Sequence, residues 1–292
     1  MSERSDVGGG AMSERSDVGG GALSLLHTFS DAGVVAKRNL IKIKRVPDLL
    51  VFTTMSPIMF VLLFAYVFGG AIDSNGGGKG YREFLIAGIF AQTVVFGSTI
   101  TGAGLAEDVK KGIIDRFRSL PMAPSAVLTG RTMSDVVNNV IVLVVMSLTG
   151  LLVGWRIRTS IPEALWGFVL LLIFAYAISW VMACVGLLVP SPEVVNNASF
   201  VVIFPLTFVA NTFVPLETLP GPLRAFAEWN PVSAVTQAAR NLFGNPDPNP
   251  NAPNPSGWAL QHPELYTLIW AAAVLLIFVP LANALYRRST SR

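Results

Sequence analysis

The sequence predicts an all-α membrane protein: six transmembrane helices preceded by an amphipathic interfacial helix. Three observations predict it. Charged residues make up only 13% of the 292 positions and hydrophobic ones 52%, with a mean hydropathy of +0.57, whereas soluble domains are about one quarter charged. Six long runs carry no charge. Lysine and arginine collect in alternate connections between those runs. A soluble fold would have to bury several stretches of about twenty uncharged residues in one core, which a chain of this size has no volume to do.

Taken in order, residues 1–22 repeat "MSERSDVGGGA" twice. This tail of glycine and small polar residues buries too little surface to fold, and it lacks the apolar stretch of a signal peptide. Residues 23–47 read as an amphipathic interfacial helix. Leu26, Phe29, Gly33, Ala36, Leu40 and Ile43 recur at steps of three and four, with Lys37, Arg38, Lys42 and Arg45 on other faces. Such a basic helix suits an anionic membrane surface.

The domain at 48–288 holds the six runs, with spans at about 49–72, 84–106, 133–155, 164–189, 194–216 and 265–286; the third run is uncharged from Val136, and its span is taken back towards Met133. At about 1.5 Å per residue, a run of roughly twenty residues crosses the hydrocarbon layer, where only helices satisfy their own backbone. The basic residues Lys110, Lys111, Arg116, Arg118 and Arg131 follow the second run, and Arg287, Arg288 and Arg292 follow the sixth. Fewer lie in the other connections: Lys79 and Arg82, Arg156 and Arg158, Arg224 and Arg240. The positive-inside rule therefore puts both termini, including the 289–292 tail, in the cytoplasm.

The connection "PSPEVVNN" is a tight cytoplasmic turn whose prolines stop one helix and start the next. The segment after the fifth run holds two short amphipathic pieces, the second capped by Asn230 and Pro231. Neither piece is long enough to span, so both lie on the outer surface or dip back into the membrane.

Chemistry-bearing motifs are scarce. "GGGKG" at 76–80 lacks the first glycine and the hydroxyl of a phosphate loop, and no strand precedes it. There is no nucleophile elbow or zinc-binding His pair, and Cys184 has no second cysteine to pair with. His27 and His262 lie on opposite sides of the predicted topology. The runs read as free of ionisable residues between their ends, which disfavours an ion-coupled carrier. Polar side chains within or near them, Asn138, Asn139, Asn196, Asn197 and Asn211, either bond between helices or line a route.

The densest mixed-charge stretch is "AEDVKKGIIDRFRSLPMAPSAVLTGR" at 106–131. Val109, Ile113 and Phe117 are four apart and predict an apolar docking stripe beside Lys111, Asp115 and Arg118. Arg131 and Asp135, also four apart, predict a pair along one helix.

Two blocks resemble the type 2 ABC exporter permeases, and in particular the membrane subunits of daunorubicin- and doxorubicin-resistance systems. They are "EDVKKGIIDRFRSLPMAPSAVLTGRTMSD" and "NTFVPLETLPGPLRAFAEWNPVSAVTQAARNLF". The resemblance runs from about Leu23 to Arg288. It implies that the amphipathic helix is a cytoplasmic elbow helix and that the segment 216–243 forms an extracellular re-entrant helix pair. It also implies a cytoplasmic coupling helix that docks on a separate ATPase subunit, holding Glu107, Asp108, Lys110, Lys111, Gly112, Asp115, Arg116, Arg118, Leu120 and Pro121. Ile113 and Phe117 of the apolar stripe fall in the same segment.

On this resemblance the chain carries no catalytic residue, metal or cofactor of its own, and ATP and magnesium bind the partner ATPase. Two ATPase copies and a second permease chain, in a homodimer or heterodimer, complete a transporter. The implied cargo is an amphipathic drug, antibiotic or lipid leaving a bacterial cell through the plasma membrane, with no nucleic acid involved. Export of a polysaccharide or glycoconjugate is the alternative within the family. Outside it stand a channel or carrier that works without an ATPase and an anchor or sensor subunit.

Overall fold

Uncharged runs with no external partner for their backbone close their hydrogen bonds internally, and among the described residues the protein is helical with no strand. The computed structural model describes residues 47–68, 79–113, 124–189, 191–245, 255 and 257–289. The duplicated tail and the amphipathic helix expected before Pro47 lie outside these residues.

Helix α1, Pro47–Leu62, starts on a proline, which needs no intrahelical donor, and widens over Leu63–Phe68 into a π turn. There the Ala65 carbonyl accepts a hydrogen bond from Arg82 Nε at 3.3 Å. Helix α2, Lys79–Gly97, and helix α3, Thr99–Lys110, follow each other across a turn at Ser98. The predicted second run therefore begins five residues early and breaks in the middle. Ser98 Oγ donates to the Val95 carbonyl at 2.6 Å and Thr99 Oγ1 to the Phe96 carbonyl at 2.7 Å. Hydroxyls that bond back to the preceding turn compete with the helical ladder and bend it.

Helix α4, Pro124–Val153, also starts before its predicted boundary, so Arg131 and Asp135 lie inside it rather than at its end. Asp135 is 6% exposed. The expectation of spans free of ionisable side chains fails here, because the hydropathy boundary was drawn at the first charge whereas the helix continues through it. Helix α5, Ile161–Leu188, opens on a Ser160–Glu163 capping box, and helix α6, Pro192–Phe208, opens on Pro192. Helix α6 stops eight residues short of the predicted 216. Beyond it the chain turns, held by Asn230 Nδ2 donating to the Leu206 carbonyl at 2.7 Å and by the Asn211 amide donating to Ser233 Oγ at 3.1 Å.

Two short helices come next, α7, Gly221–Trp229, and α8, Pro231–Phe243. Asn230 caps α8 by accepting from the Val232 amide at 2.9 Å, and Gly244, at φ 70°, ends it in the left-handed region. A turn of helix, α9, Trp258–Gln261, leads into α10, Pro263–Ser289.

Among the described residues, four helical stretches are long and apolar enough to cross a bilayer: Gly80–Lys110, Val127–Val153, Ile161–Leu188 and Pro263–Arg288. Met55–Val67 is a shorter apolar helix.

Helix α5 is the centre, packing on α10, α3, α8, α4 and α2. Close approach explains one glycine of its own and one of α3: a Cβ on Gly186 would sit 2.2 Å from the Gly102 carbonyl oxygen, so α3 and α5 touch backbone to backbone. Helix α8 is buried on nearly all sides between α5, α10 and α2. Arg240, read from the sequence as an outer-loop cation, is 1% exposed there. Its Nε donates to the Phe84 carbonyl at 3.0 Å and its Nη2 to the Thr212 carbonyl at 3.1 Å, with the guanidinium 3.4 Å from the Phe84 ring centre.

A cleft and a charged helix end form the candidate functional site

Helices α1, α2, α4 and α6, with the start of α3, leave a cleft of about 440 Å³ between them. One wall comes from α6, where phenylalanines four residues apart fall on a single face. Phe200 and Phe204 lie with ring centres 5.0 Å apart, and Phe204 and Phe208 stack at 4.1 Å. Phe96 on α2 approaches Phe200 at 6.2 Å, and Phe60 on α1 also lines the cleft.

The polar groups of the cleft are neutral: Ser56, Gln92, Thr93, Thr99, Asn138 and Asn139. None of its lining residues, among those described, is ionisable. Gly97 admits Asn139 to the wall, since a Cβ there would meet Asn139 Oδ1 at 2.7 Å. Such a surface can stack on flat or apolar groups and exchange hydrogen bonds with uncharged polar ones.

Of the five asparagines singled out in the sequence, Asn138 and Asn139 line the cleft. Asn196 and Asn197 are exposed on α6 outside it. Asn211 is buried, with its Nδ2 donating to Gln237 Oε1 at 3.1 Å, and it secures the turn after α6 against α8. Sequence reasoning missed Phe200, Phe204, Phe208 and Gln92. The four-residue spacing of the phenylalanines is the signal that could have found the first three.

The charged stretch begins where α3 ends. The Lys111 amide donates to the Glu107 carbonyl at 2.9 Å, and the Gly112 amide donates to the Val109 carbonyl at 3.0 Å. Gly112, at φ 63°, turns the chain into the left-handed region. Between Val109 and Ile113 of the expected stripe the helical register is interrupted at Gly112, and Phe117 lies outside the described residues. Val109 packs inward against the cluster of Leu105, Val127, Leu128 and Tyr286. Asp115, Arg116, Phe117, Arg118, Leu120 and Pro121 lie outside the described residues.

Lys111 Nζ pairs with Glu107 Oε1 at 2.6 Å, and this hydrogen bond raises the lysine pKa above its ordinary value. At the start of α6, Glu193 is held below the usual carboxylate range. Its own backbone amide contributes most, the Ser191 hydroxyl donates to it at 2.8 Å, and the positive charge of Lys110 adds to the effect. The end of α3 and the α5–α6 turn therefore sit side by side, an exposed patch of mixed charge.

Arg131 and Asp135, expected to pair along one helix, also form hydrogen bonds to another helix. Arg131 Nη2 donates to the Ile100 carbonyl at 3.0 Å and Asp135 accepts from the Thr101 hydroxyl, so both reach across to α3. Cys184 is buried, its thiol 3.6 Å from the Phe278 carbonyl. Among the described residues, no group of three or more His, Cys, Asp or Glu side chains is placed to hold a metal ion.

A family model described as ABC-2 type transporter matches residues 31–243 of this sequence. The chain belongs to the ABC-2 type transporter family. This ABC-2 permease is 32% identical over 254 residues to the daunorubicin resistance ABC transporter permease protein DrrB1 of Streptomyces coeruleorubidus, covering 87% of this chain and 85% of that one. It is 24% identical over 235 residues to a protein of Mycobacterium tuberculosis named "Probable doxorubicin resistance ABC transporter permease protein DrrC", covering 80% of each. The protein is thus a multi-pass membrane permease whose family implies an ATPase partner, and its named relatives here are bacterial.

Proposed function

We propose that this ABC-2 permease is the membrane subunit of an ATP-driven exporter that carries an amphipathic drug, antibiotic or lipid out of a bacterial cell. Six spans with both termini in the cytoplasm form one half of the transporter, and a second permease chain forms the other. Two ATPase copies bind ATP and magnesium and dock on the segment from Glu107 to Pro121. Closure of the ATPases moves that segment and switches the membrane route between inward and outward access.

The observation that carries the reading is the phenylalanine-walled cleft. Its size falls within the roughly 300–1,000 Å³ range of small-molecule sites, and it offers apolar walls with a few neutral amides. An amphipathic molecule presents the matching surface. A glycan, with hydroxyls on every ring, would strand most of them against Phe60, Phe96, Phe200 and Phe204. Resistance to daunorubicin and doxorubicin, in the names of the two relatives, belongs to the same chemical class.

The test is ATPase activity of the permease–ATPase complex in lipid nanodiscs, titrated separately with daunorubicin, with a short-chain phospholipid and with a bacterial polysaccharide. Saturable stimulation by daunorubicin or the phospholipid is expected. An Asn139→Leu variant is expected to raise the half-maximal concentration about tenfold, the equivalent of about 1.4 kcal/mol. Stimulation by the polysaccharide alone would contradict the cargo class. Transport by the permease reconstituted without any ATPase would replace the exporter by a channel.

A further inference from the structure

The segment proposed to meet the ATPase is suspended between two helices, α3, which ends at Lys110, and α4, which begins at Pro124. A push on a segment held this way is transmitted only if its two supports move together; otherwise they splay and absorb it. The two helices are cross-linked by side chains about two to three helical turns, roughly 9–17 Å at about 1.5 Å per residue, from the segment's ends.

Three features make the link. Arg131 lays its guanidinium across α3, and Nη2 donates to the Ile100 carbonyl at 3.0 Å. Gly104 provides the seat: a Cβ there would lie 1.7 Å from Arg131 Nη2 and 2.4 Å from Cζ. One turn of α4 further on, Asp135 accepts from the hydroxyl of Thr101, both residues being buried. A charge-assisted hydrogen bond in an apolar surrounding is stronger than the same bond in water, and it ties residues 34 apart in sequence.

The link also ends at a meaningful place. Immediately before Ile100 and Thr101, the turn at Ser98 interrupts the long helix, and Phe96, Gly97, Thr99 and Ile100 line the cleft. Phe96 and Gly97 before the break and Thr99 and Ile100 after it all contribute to the cleft wall, and after the break the chain is also fastened to α4.

We propose that Arg131, Asp135, Thr101 and Gly104 form a clasp that makes α3 and α4 one rigid hairpin, which turns about the Ser98 break and carries movement of the docking segment to the cleft. Arg131 and Asp135 are positioning residues: they touch neither cargo nor nucleotide and act through α3. The inference rests on the exporter reading, and its test separates the two.

The readout is a bimane fluorophore on the cleft wall, at Phe200→Cys in a Cys184→Ser background, in the permease–ATPase complex in nanodiscs. ATP with vanadate is expected to shift its emission. Thr101→Val, which removes the hydroxyl and keeps the shape, is expected to reduce that shift about tenfold. Thr101→Ser, which keeps the hydroxyl, is expected to preserve it.

Gly104→Ala is expected to match Thr101→Val. Alanine favours a helix more than glycine does, so this loss has no origin in a weakened helix. All variants should still co-purify with the ATPase.

A full emission shift in both Thr101→Val and Gly104→Ala would overturn the clasp and leave the exporter reading standing. Loss in Thr101→Ser equal to that in Thr101→Val would overturn it as well, since the hydroxyl would then be irrelevant. A parent complex with no ATP-dependent shift, or no ATPase association, would overturn the exporter reading and the clasp with it.

Discussion

A Cβ added at Gly186 would sit 2.2 Å from a backbone carbonyl that has no freedom to swing away, that of Gly102. The Gly186→Ala substitution is therefore expected to push α3 and α5 apart and to cost about 1–3 kcal/mol, as overpacking does in other cores. The check is thermal unfolding of the purified permease in detergent, where the midpoint should fall by several degrees. An unchanged midpoint would mean that the two helices are not in backbone contact.

The same scale shows what local spacing cannot reveal. Arg131 and Asp135 stand four apart, and along a helix that spacing predicts a pair. The pairing is decided by α3, whose Ile100 carbonyl and Thr101 hydroxyl come from a different part of the chain. Gly104 has meaning only once the guanidinium resting on it is seen.

Among the elements, α8 is the one whose ends were readable and whose surroundings were not. Asn230, Pro231 and Gly244 mark its limits through cap chemistry that depends only on neighbours. Its place among α2, α5 and α10 depends on Ser233, Ala234, Thr236 and Ala238, buried small residues that admit other helices around Val232 and Val235. Arg240 then finds acceptors at Phe84 and Thr212 rather than water.

Replacing Arg240 with Met removes the donor and keeps much of the volume. Each carbonyl left without its partner costs about 1–3 kcal/mol, so Arg240→Met should lower the unfolding midpoint more than Gly186→Ala does. A midpoint equal to wild type would show that the buried cation is dispensable. Helix α6 gives a different lesson: its phenylalanines stand four apart in the sequence, but only the fold shows that their face lines a cleft. Its stop at Phe208 was hidden because the residues after it stay apolar while the chain turns toward Ser233.

For the whole molecule, composition and hydropathy were enough for the membrane class, because a backbone in lipid has few solutions. They place the apolar helices without saying how those helices meet. The cleft is a property of that meeting: Phe60, Phe96, Asn139 and Phe204 are on four different helices and converge only in the folded chain. The charged stretch at 106–131 was legible as an oddity in an apolar chain, and the family match places it in an ABC-2 permease. A chain of this family with no nucleotide motif of its own is expected to draw its energy from a partner, and the end of α3 is where the account puts the contact.

That contact is tested most directly by co-purifying this chain with a co-expressed partner ABC ATPase, comparing wild type with a Phe117→Glu variant. A stable complex with wild type and its loss in the variant are expected, with both permeases inserted in the membrane to the same level. Failure of the wild-type chain to hold any ATPase in several detergents, or retention of the ATPase by Phe117→Glu at the wild-type level, would contradict that contact.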